Sequence, residues 1–409
     1  MTPTTIPGGA MTAAERKASL SLASIFALRM LGLFVILPVF AVYAHELPGG
    51  DNDFWVGITL GIYGLTQGVL QIPFGAASDR YGRKPVIAAG LLLFAVGSFA
   101  AAASHTIHGV MIGRMLQGAG AVSAAVTAAI SDLVRDRVLM KAMAMIGSSI
   151  GLTFALSLVI SPPLTEWCGV DGLFTITGIL ALAAVLVVWK IVPPIAKPRQ
   201  KESGAKHARW SEIVFDPQLL RLNFGIFCLH AALTSIFVVV PGTLARLGLV
   251  PAEHWKVYLP AVLIGFALMA PLLIFGNRRG CITKISRFMI ALMALVLAAC
   301  AYCTTSVLAT GILLALFFTA FNVLEATLPG LISKASPPAD KGFALGVYNT
   351  TQNIGLFIGG AVGGWISQTC GAAWVFLAST FAILLWLASA FGLKEPALQP
   401  REPGEAIDI

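Results

Sequence analysis

Long apolar segments alternate with short polar turns along the whole chain. Segments of about 20 apolar residues, the length that a transmembrane helix needs, fall near 20–44, 54–78, 85–103, 107–131, 142–164 and 172–192. After a polar stretch, six more lie near 218–244, 255–276, 285–304, 307–333, 342–367 and 372–393. The pattern predicts an all-α membrane protein with twelve spans, numbered one to twelve in chain order, and with both termini on one side of the membrane.

The composition agrees with this pattern. Hydrophobic residues make up 57% of the 409 residues, charged residues 11%, and the mean hydropathy is +0.85. Soluble domains carry close to a quarter charged residues, so this composition excludes a soluble globule. The net charge of +8 does not indicate a nucleic-acid partner, because the basic residues lie in short turns between apolar segments rather than on one solvated patch.

The distribution of basic residues predicts the orientation. Of the 27 Lys and Arg residues, 22 fall in the turns and tails on the side of the termini, while Arg246 and Lys256 alone fall in the opposite turns. Cytoplasmic loops carry such an excess. We therefore expect a multi-pass protein of the bacterial inner membrane with both termini in the cytoplasm.

Residues 193–216 form the one long polar connection and divide the chain almost in half. They predict a cytoplasmic linker between an N-terminal six-helix bundle, residues 1–192, and a C-terminal six-helix bundle with a short tail, residues 217–409. The halves also repeat. Phe74-Gly75 matches Phe275-Gly276, and Ile130-Ser131 matches Ile332-Ser333, at offsets of 201 and 202 residues. A parallel duplication of this kind places a substrate site near the midplane between the halves.

One turn, between spans two and three, holds an acid and three bases in ten residues. It reads Gly75-Ala-Ala-Ser-Asp79-Arg80-Tyr-Gly82-Arg83-Lys84. Three bases alone would act as a topology anchor. Gly75 permits close helix approach, Gly82 permits a tight turn, and Asp79 presents a carboxylate at a helix end, none of which an anchor requires.

This decapeptide satisfies the G-x-x-x-D-[RK]-x-G-[RK]-[RK] signature at every position, and the chain resembles the major facilitator superfamily. Within it the chain is most similar to the YajR-like group of the drug:proton antiporter branch. The resemblance implies that Asp79 contacts the start of span eleven, near Lys341, as a latch between the halves in the outward-open state. Asp132, at the end of span four, is the expected partner of Arg83 or Arg80. The second copy, Gly276-Asn-Arg-Arg-Gly280, has no acid at the matching position.

Span four contains Arg114-Met-Leu-Gln117-Gly-Ala-Gly120, which resembles the R-x-x-Q-G-x-G motif of the same superfamily. The resemblance implies that Arg114 takes part in proton coupling and that Gln117 lines the cavity. The alternative is that Arg114 reaches backbone carbonyls near the end of the span.

Glu325, in span ten, is the one acid well inside a span, and His230 lies at a comparable depth in span seven. Spans one, four, seven and ten line the cavity in this superfamily, so the two side chains are candidates for a proton site. A structural hydrogen bond between helices is the alternative. Arg29, deep in span one, has three open roles: binding an anionic substrate, balancing Glu325, or reaching toward the membrane surface.

Polar and aromatic residues at other positions of the spans either line the substrate cavity or pack between helices. The candidates for the cavity are Tyr63, Gln67, Asn322, Tyr348 and Gln352.

Together these features predict a proton-coupled secondary active transporter that exports small amphipathic compounds by alternating access. The antiporter motif of span five is incomplete, because Gly147-x-x-x-Gly151 lacks the usual Gly-Pro pair. A proton symporter or facilitator that imports a sugar or organic acid is therefore the alternative. A membrane-embedded sensor or enzyme is a remote one, since the chain shows no nucleotide loop, nucleophile motif or metal-ligand spacing. We expect a monomer whose partners are a small-molecule substrate, protons and the lipid bilayer, with no nucleic acid, no cofactor and no metal.

Overall fold

A computed structural model describes residues 11–195, 210–337 and 340–394 of the chain. In these ranges helix is the main regular structure, and no strand is present. The first seven helices are α1 (Ala13–Phe34), α2 (Leu37–Ala44), α3 (Asp53–Tyr81), α4 (Arg83–Ala102), α5 (Ile107–Ala119), α6 (Ser123–Leu133) and α7 (Asp136–Lys190). The others are α8 (Trp210–Val214), α9 (Pro217–Arg246), α10 (Trp255–Arg279), α11 (Ile282–Cys303), α12 (Val307–Ala335), α13 (Lys341–Cys370) and α14 (Ala372–Ala390).

These helices account for all twelve predicted spans. Span one consists of α1 and α2, and span four consists of α5 and α6, which Gly120 separates. Spans five and six form α7, in which Gly169 leaves helical geometry at φ 69°. By length and composition alone, eight of the described helical segments are apolar enough to cross a membrane. The all-α architecture predicted from the hydrophobic pattern is confirmed.

Side-chain caps begin many of these helices. Thr12 accepts a hydrogen bond from the backbone of Glu15, whose carboxylate accepts one from the backbone of Thr12, so the two form a capping box at α1. Asp216 accepts two backbone N–H groups at the start of α9. Such caps satisfy donors that the first turn of a helix leaves free. At these helices they fix where the span begins.

Two faces of the molecule can be defined from the helix directions. The terminal face is the one at which α1 begins and α14 ends, and the distal face is the opposite one, at which α3 begins and α13 ends. At the distal face Ser367 donates a hydrogen bond of 2.5 Å to Asp53 Oδ2, and the backbone N–H of Asp53 donates one of 2.8 Å to Gln368 Oε1. The first six helices, meaning spans one to six (α1–α7), and the last six, meaning spans seven to twelve (α9–α14), are therefore joined at this face.

Below these hydrogen bonds, glycines bring α3 and α13 into backbone contact. A Cβ at Gly57 would overlap the carbonyl of Gly360, and a Cβ at Gly61 would lie 2.7 Å from Phe357 Cα. Because glycine has no side chain, the two backbones can approach this closely, which is a common mode of helix association in membranes.

Toward the terminal face the same two helices separate. A Cβ at Gly342 or Gly346 of α13 would meet no atom within 4 Å. Tyr81 at the end of α3 is 66% exposed, and Phe343 at the start of α13 is 43% exposed. The structure is thus closed at the distal face and open toward the terminal face.

The division into bundles at residues 192 and 217 stays a prediction. Most of the predicted linker 193–216, and the end of the predicted tail, lie outside the described residues.

A methyl group at Gly360 tests the glycine contact. Gly360→Ala should shift the molecule toward a state open at the distal face by roughly tenfold, since overpacking costs about 1–3 kcal/mol. The measurement is the distance distribution between spin labels at Asp51→Cys and Thr369→Cys, two exposed distal positions, in a chain whose native cysteines are replaced.

Gly346→Ala is the matched control on α13, because it adds the same methyl where no atom lies within 4 Å. It should leave the distances unchanged. Equal distributions for both variants would contradict the importance of the contact.

Candidate functional site

The ten-residue turn between α3 and α4 has the geometry that its glycines suggest. Gly82 separates the two helices at φ 96°, a conformation that favours glycine, so the chain reverses within one residue. Gly75 brings α3 near α6, since a Cβ there would lie 3.5 Å from Ala124 Cβ.

Arg83 is the centre of this turn. It is 7% exposed and contacts the carboxylate of Asp79, while its Nε donates a hydrogen bond of 2.8 Å to Asp132 Oδ2 and its Nη1 one of 2.7 Å to Ser78 Oγ. Arg80 stacks on the Tyr81 ring instead. Of the two bases expected near Asp132, Arg83 is therefore the one in contact with it. Lys84 Nζ donates a bond of 2.5 Å to the carbonyl of Val192 and so joins the turn to the end of α7.

Asp79 does not meet span eleven in this conformation. Its side chain is 63% exposed, and the start of α13 around Gly342 has open space beside it. The latch inferred from the family resemblance thus remains a prediction for a state that closes the terminal face.

Two arginines lie inside the first six helices around the Tyr63 ring. Arg29 is 1% exposed, donates a hydrogen bond of 2.5 Å to Ser123 Oγ and contacts Gln67 Oε1. Arg114 is fully buried and donates hydrogen bonds to Gln117 Oε1 at 2.9 Å and to the backbone carbonyl of Gly32 at 3.3 Å.

Neither Arg29 nor Arg114 forms an ion pair in the part of the chain that the structure describes. Their guanidinium carbons lie 5.8 and 4.9 Å from the Tyr63 centroid, and hence at most 10.7 Å apart. Two positive charges within that distance repel by at least about 1.5 kcal/mol at an effective dielectric constant of 20. Hydrogen bonds to a charged group contribute about 1.5–3 kcal/mol each, so the bonds above, with the ring face, offset this repulsion.

The cluster of Glu325, His230 and Gln352 lies in the other set of helices. Glu325 of α12 has Oε2 3.8 Å from Nε2 of His230 on α9. Gln352 of α13 has its amide nitrogen 2.7 Å from that same Nε2 and 3.3 Å from Glu325 Oε1. Three helices thus contribute one side chain each. Glu325 and His230, expected as partners from their depth and from the spans that line the cavity in this superfamily, are brought together.

Further polar atoms around this cluster have no hydrogen-bond partner among the described residues. They are Oε2 of Glu325, the hydroxyl of Tyr348 and Nδ2 of Asn322. Glu325 is 34% exposed at its side chain, whereas His230 is 5% exposed. Glu325 is therefore the more accessible member of the pair, although its Oε2 is itself buried. Buried polar atoms without a hydrogen-bond partner are rare in native proteins and call for an explanation.

Aromatic rings close the space beside this cluster. The ring of Phe321 lies 5.7 Å from that of His230, and Phe154 of α7 contacts both Phe318 and Phe321 of α12. Since α7 and α12 belong to different sets of six helices, these rings pack across the seam between them. Sequence reasoning missed Phe154, because 24 Phe residues in apolar spans give no signal that separates one from the others.

The residues predicted to line the cavity fall in two groups. Tyr63, Gln67 and Gln117 are at most 4% exposed and are packed inside the first six helices, where two of them hold the arginines. Asn322, Tyr348 and Gln352 lie on α12 and α13, the helices of the Glu325 cluster. Asn322 and Tyr348 are also buried, at 6% and 2% exposed, and only Gln352 of the six is partly exposed. The second group is distinguished by lying on the helices of the Glu325 cluster.

The described residues contain no group of three or more His, Cys, Asp or Glu side chains that could hold a metal ion.

Comparison with known proteins identifies the family. The model of the Major Facilitator Superfamily matches residues 22–328 and 284–407, which together cover most of the chain. The chain belongs to this superfamily. It is 44% identical to the inner membrane transport protein YajR of Escherichia coli (strain K12), over 94% of this chain and 85% of that protein. The resemblance read from the decapeptide is confirmed, and the chain is a membrane transporter rather than an enzyme.

Two further comparisons are more distant. The multidrug resistance protein MdtH of Aeromonas salmonicida is 24% identical over 82% of each chain. A solved bacterial homologue of the human lysosomal transporter Spinster matches 93% of this chain and 97% of its own, with a TM-score of 0.73 and 13% identity. At that identity the likeness concerns the fold alone.

The two acids around Arg83 should differ in their effect on stability. Asp132→Ala should lower the free energy of unfolding by about 1–3 kcal/mol, because it leaves a buried guanidinium with a missing partner. Asp79→Ala should cost less than about 1 kcal/mol, since that carboxylate is 63% exposed. Thermal unfolding of the purified variants in detergent measures which variant is less stable. An equal loss of stability, or a larger one for Asp79→Ala, would contradict the prediction.

Proposed function

We propose that this transporter is proton-coupled and exports small amphipathic compounds by alternating access. The observation that carries the proposal is the contact of Glu325 with His230 and Gln352 on three helices. A carboxyl group inside a membrane protein is a functional candidate, because an unused charge there is costly. One proton binding to Glu325 forms its O–H bond and removes that charge, which makes the occupied and empty sites electrically different.

The orientation follows from the basic residues. Their excess in the turns of the terminal face supports a cytoplasmic position for that face and for both termini. The conformation described above is then open to the cytoplasm. The E. coli relative is named an inner membrane transport protein, which supports the same membrane for this chain.

In this cycle Glu325 takes a proton from the outside when the distal face opens, and releases it to the cytoplasm when the terminal face opens. The substrate moves the other way. When the terminal face closes, Asp79 reaches the start of α13, and the group of Arg83 and Asp132 holds it there. Arg29 and Arg114 contribute positive charge to the first six helices, and this charge stays constant. The charge of Glu325 changes when it binds or releases a proton.

The residues at the seam between the two sets of helices indicate the class of substrate. Phenylalanine rings and the amide and hydroxyl groups of Asn322 and Tyr348 together suit a compound with an apolar body and a few polar groups. The name of the distant relative MdtH supports the multidrug type. We further propose that the transporter works as a monomer.

Transport into proteoliposomes tests the proton site. In acid-inside vesicles, a permanently charged fluorescent dye should accumulate above the level of empty vesicles, and Glu325→Gln should abolish the excess because it removes the proton-binding group. Glu253→Gln is the control. It neutralises an exposed acid just before α10, at the distal face, where it pairs with Lys256, and it should transport like the unmodified chain.

Accumulation that survives Glu325→Gln would contradict the assignment of Glu325. Accumulation driven by the opposite gradient would favour a symporter.

A further inference from the structure

Gln352 is the one residue of α13 that contacts both members of the proton site. Its amide nitrogen lies 2.7 Å from His230 Nε2 and 3.3 Å from Glu325 Oε1. An amide nitrogen has two protons to donate and no capacity to accept, whereas the amide oxygen only accepts. In the observed arrangement, both neighbours therefore act as acceptors. This requires that Nε2 of His230 and Oε1 of Glu325 carry no proton, and the bond to Oε1 is stronger when Glu325 is a carboxylate.

A proton added to this site changes the hydrogen bonds of Gln352. If it binds Oε2 of Glu325, the bond from the amide becomes one between neutral groups, which is about half as strong as the charge-assisted bond. If it binds Oε1 or is passed to His230 Nε2, an acceptor becomes a donor, and the amide must rotate to present its oxygen. In the first case the hold of Gln352 on the carboxyl group weakens, and in the second its side chain loses the arrangement that the structure shows.

The helix that carries Gln352 also forms the closed distal interface. The next residue, Asn353, packs against α3, where a Cβ at Gly68 would lie 3.2 Å from Asn353 Cβ. On its other side α13 lies against α9, since a Cβ at Gly355 would lie 2.5 Å from the carbonyl oxygen of Phe227. Backbone contacts without intervening side chains leave little room for α13 to adjust to one neighbour alone.

We propose that Gln352 is a positioning residue that couples the proton on Glu325 to the α3–α13 interface, and so to the opening of the distal face. This inference rests on the proposed function. Neither Glu325 nor His230 lies on a helix of that interface. Gln352 would therefore supply the link between proton binding and the opening of the distal face. The deprotonated cluster holds α13 in the distal-closed position, and a proton weakens this hold.

Few other titratable groups face the site. The elements packed against α12 are α9, α10, α11 and α13. Besides His230 on α9, the phenol of Tyr348 on α13 interacts electrostatically with Glu325. The described residues of α10 and α11 contribute no ion pair to the carboxylate. A pH response of α13 would therefore originate in the Glu325–His230 pair.

The experiment measures how the distal distance responds to pH. Spin labels at Asp51→Cys and Thr369→Cys, in the full-length chain in lipid nanodiscs, report the distal-open fraction between about pH 5 and pH 8. In the otherwise unmodified chain this fraction should rise as the pH falls. Gln352→Leu, which keeps the volume but cannot form a hydrogen bond, should reduce the pH-dependent change at least fivefold. Gln352→Met provides a second variant of similar length.

Two further variants separate the possible outcomes. Gln368→Leu, on the same helix, removes the bond to the Asp53 backbone. It should raise the distal-open fraction at every pH and keep the pH response, which distinguishes loss of coupling from loosening of α13. Glu325→Gln should remove the response.

If both Gln352 variants respond to pH like the parent while Glu325→Gln does not, the role of Gln352 is wrong and the proposed proton site stands. If Glu325→Gln still responds, the proton site itself is wrong.

Discussion

The cost of placing an ionised group in hydrocarbon governs the arrangement of the polar residues in this transporter. The chain lowers this cost in three different ways. At the terminal face, Arg83 is enclosed by two acids and a hydroxyl group. Inside the first six helices, Arg29 and Arg114 are held by amide, hydroxyl and carbonyl oxygens and by one aromatic ring, without an acid. In the last six, Glu325 has a neutral amide and an imidazole as neighbours. Of the two arrangements deep inside the spans, the one around Glu325 is the one that can change its charge by binding a proton, because a guanidinium stays protonated.

The second constraint is the contact between α3 and α13, where glycines let two backbones touch. The related pair across the molecule, α7 and α10, is packed less closely. A Cβ at Gly147 would meet nothing within 4 Å, and a Cβ at Gly151 would approach only the ring of Phe266, at 3.6 Å. The two seams between the halves therefore differ. The α3–α13 seam joins the Glu325 cluster to the distal face through the backbone of one helix, whereas side chains such as that of Phe266 separate α7 from α10.

The all-α architecture and its twelve spans could be predicted from the apolar segments, because each span must satisfy its own backbone hydrogen bonds in the membrane. The contact of Arg83 with Asp132 and the approach of Glu325 to His230 were also anticipated, since depth along a span limits which side chains can meet. The conformation could not be predicted. Which end of α13 touches α3 depends on small differences between two packings of the same residues. The sequence also predicts that Gln67 and Gln117 line a cavity, whereas the structure shows them between helices, where they hold arginines.

The central claim is that Glu325 gains and loses a proton within the accessible pH range. Infrared difference spectroscopy of the reconstituted protein, recorded between about pH 5 and pH 8, tests it most directly. A protonated carboxyl group has a C=O stretching band that a carboxylate lacks. The account predicts such a band at the lower pH, sensitive to deuterium exchange, that is absent in Glu325→Gln. A spectrum of Glu325→Gln that keeps the whole band, or a parent protein without it, would contradict the account.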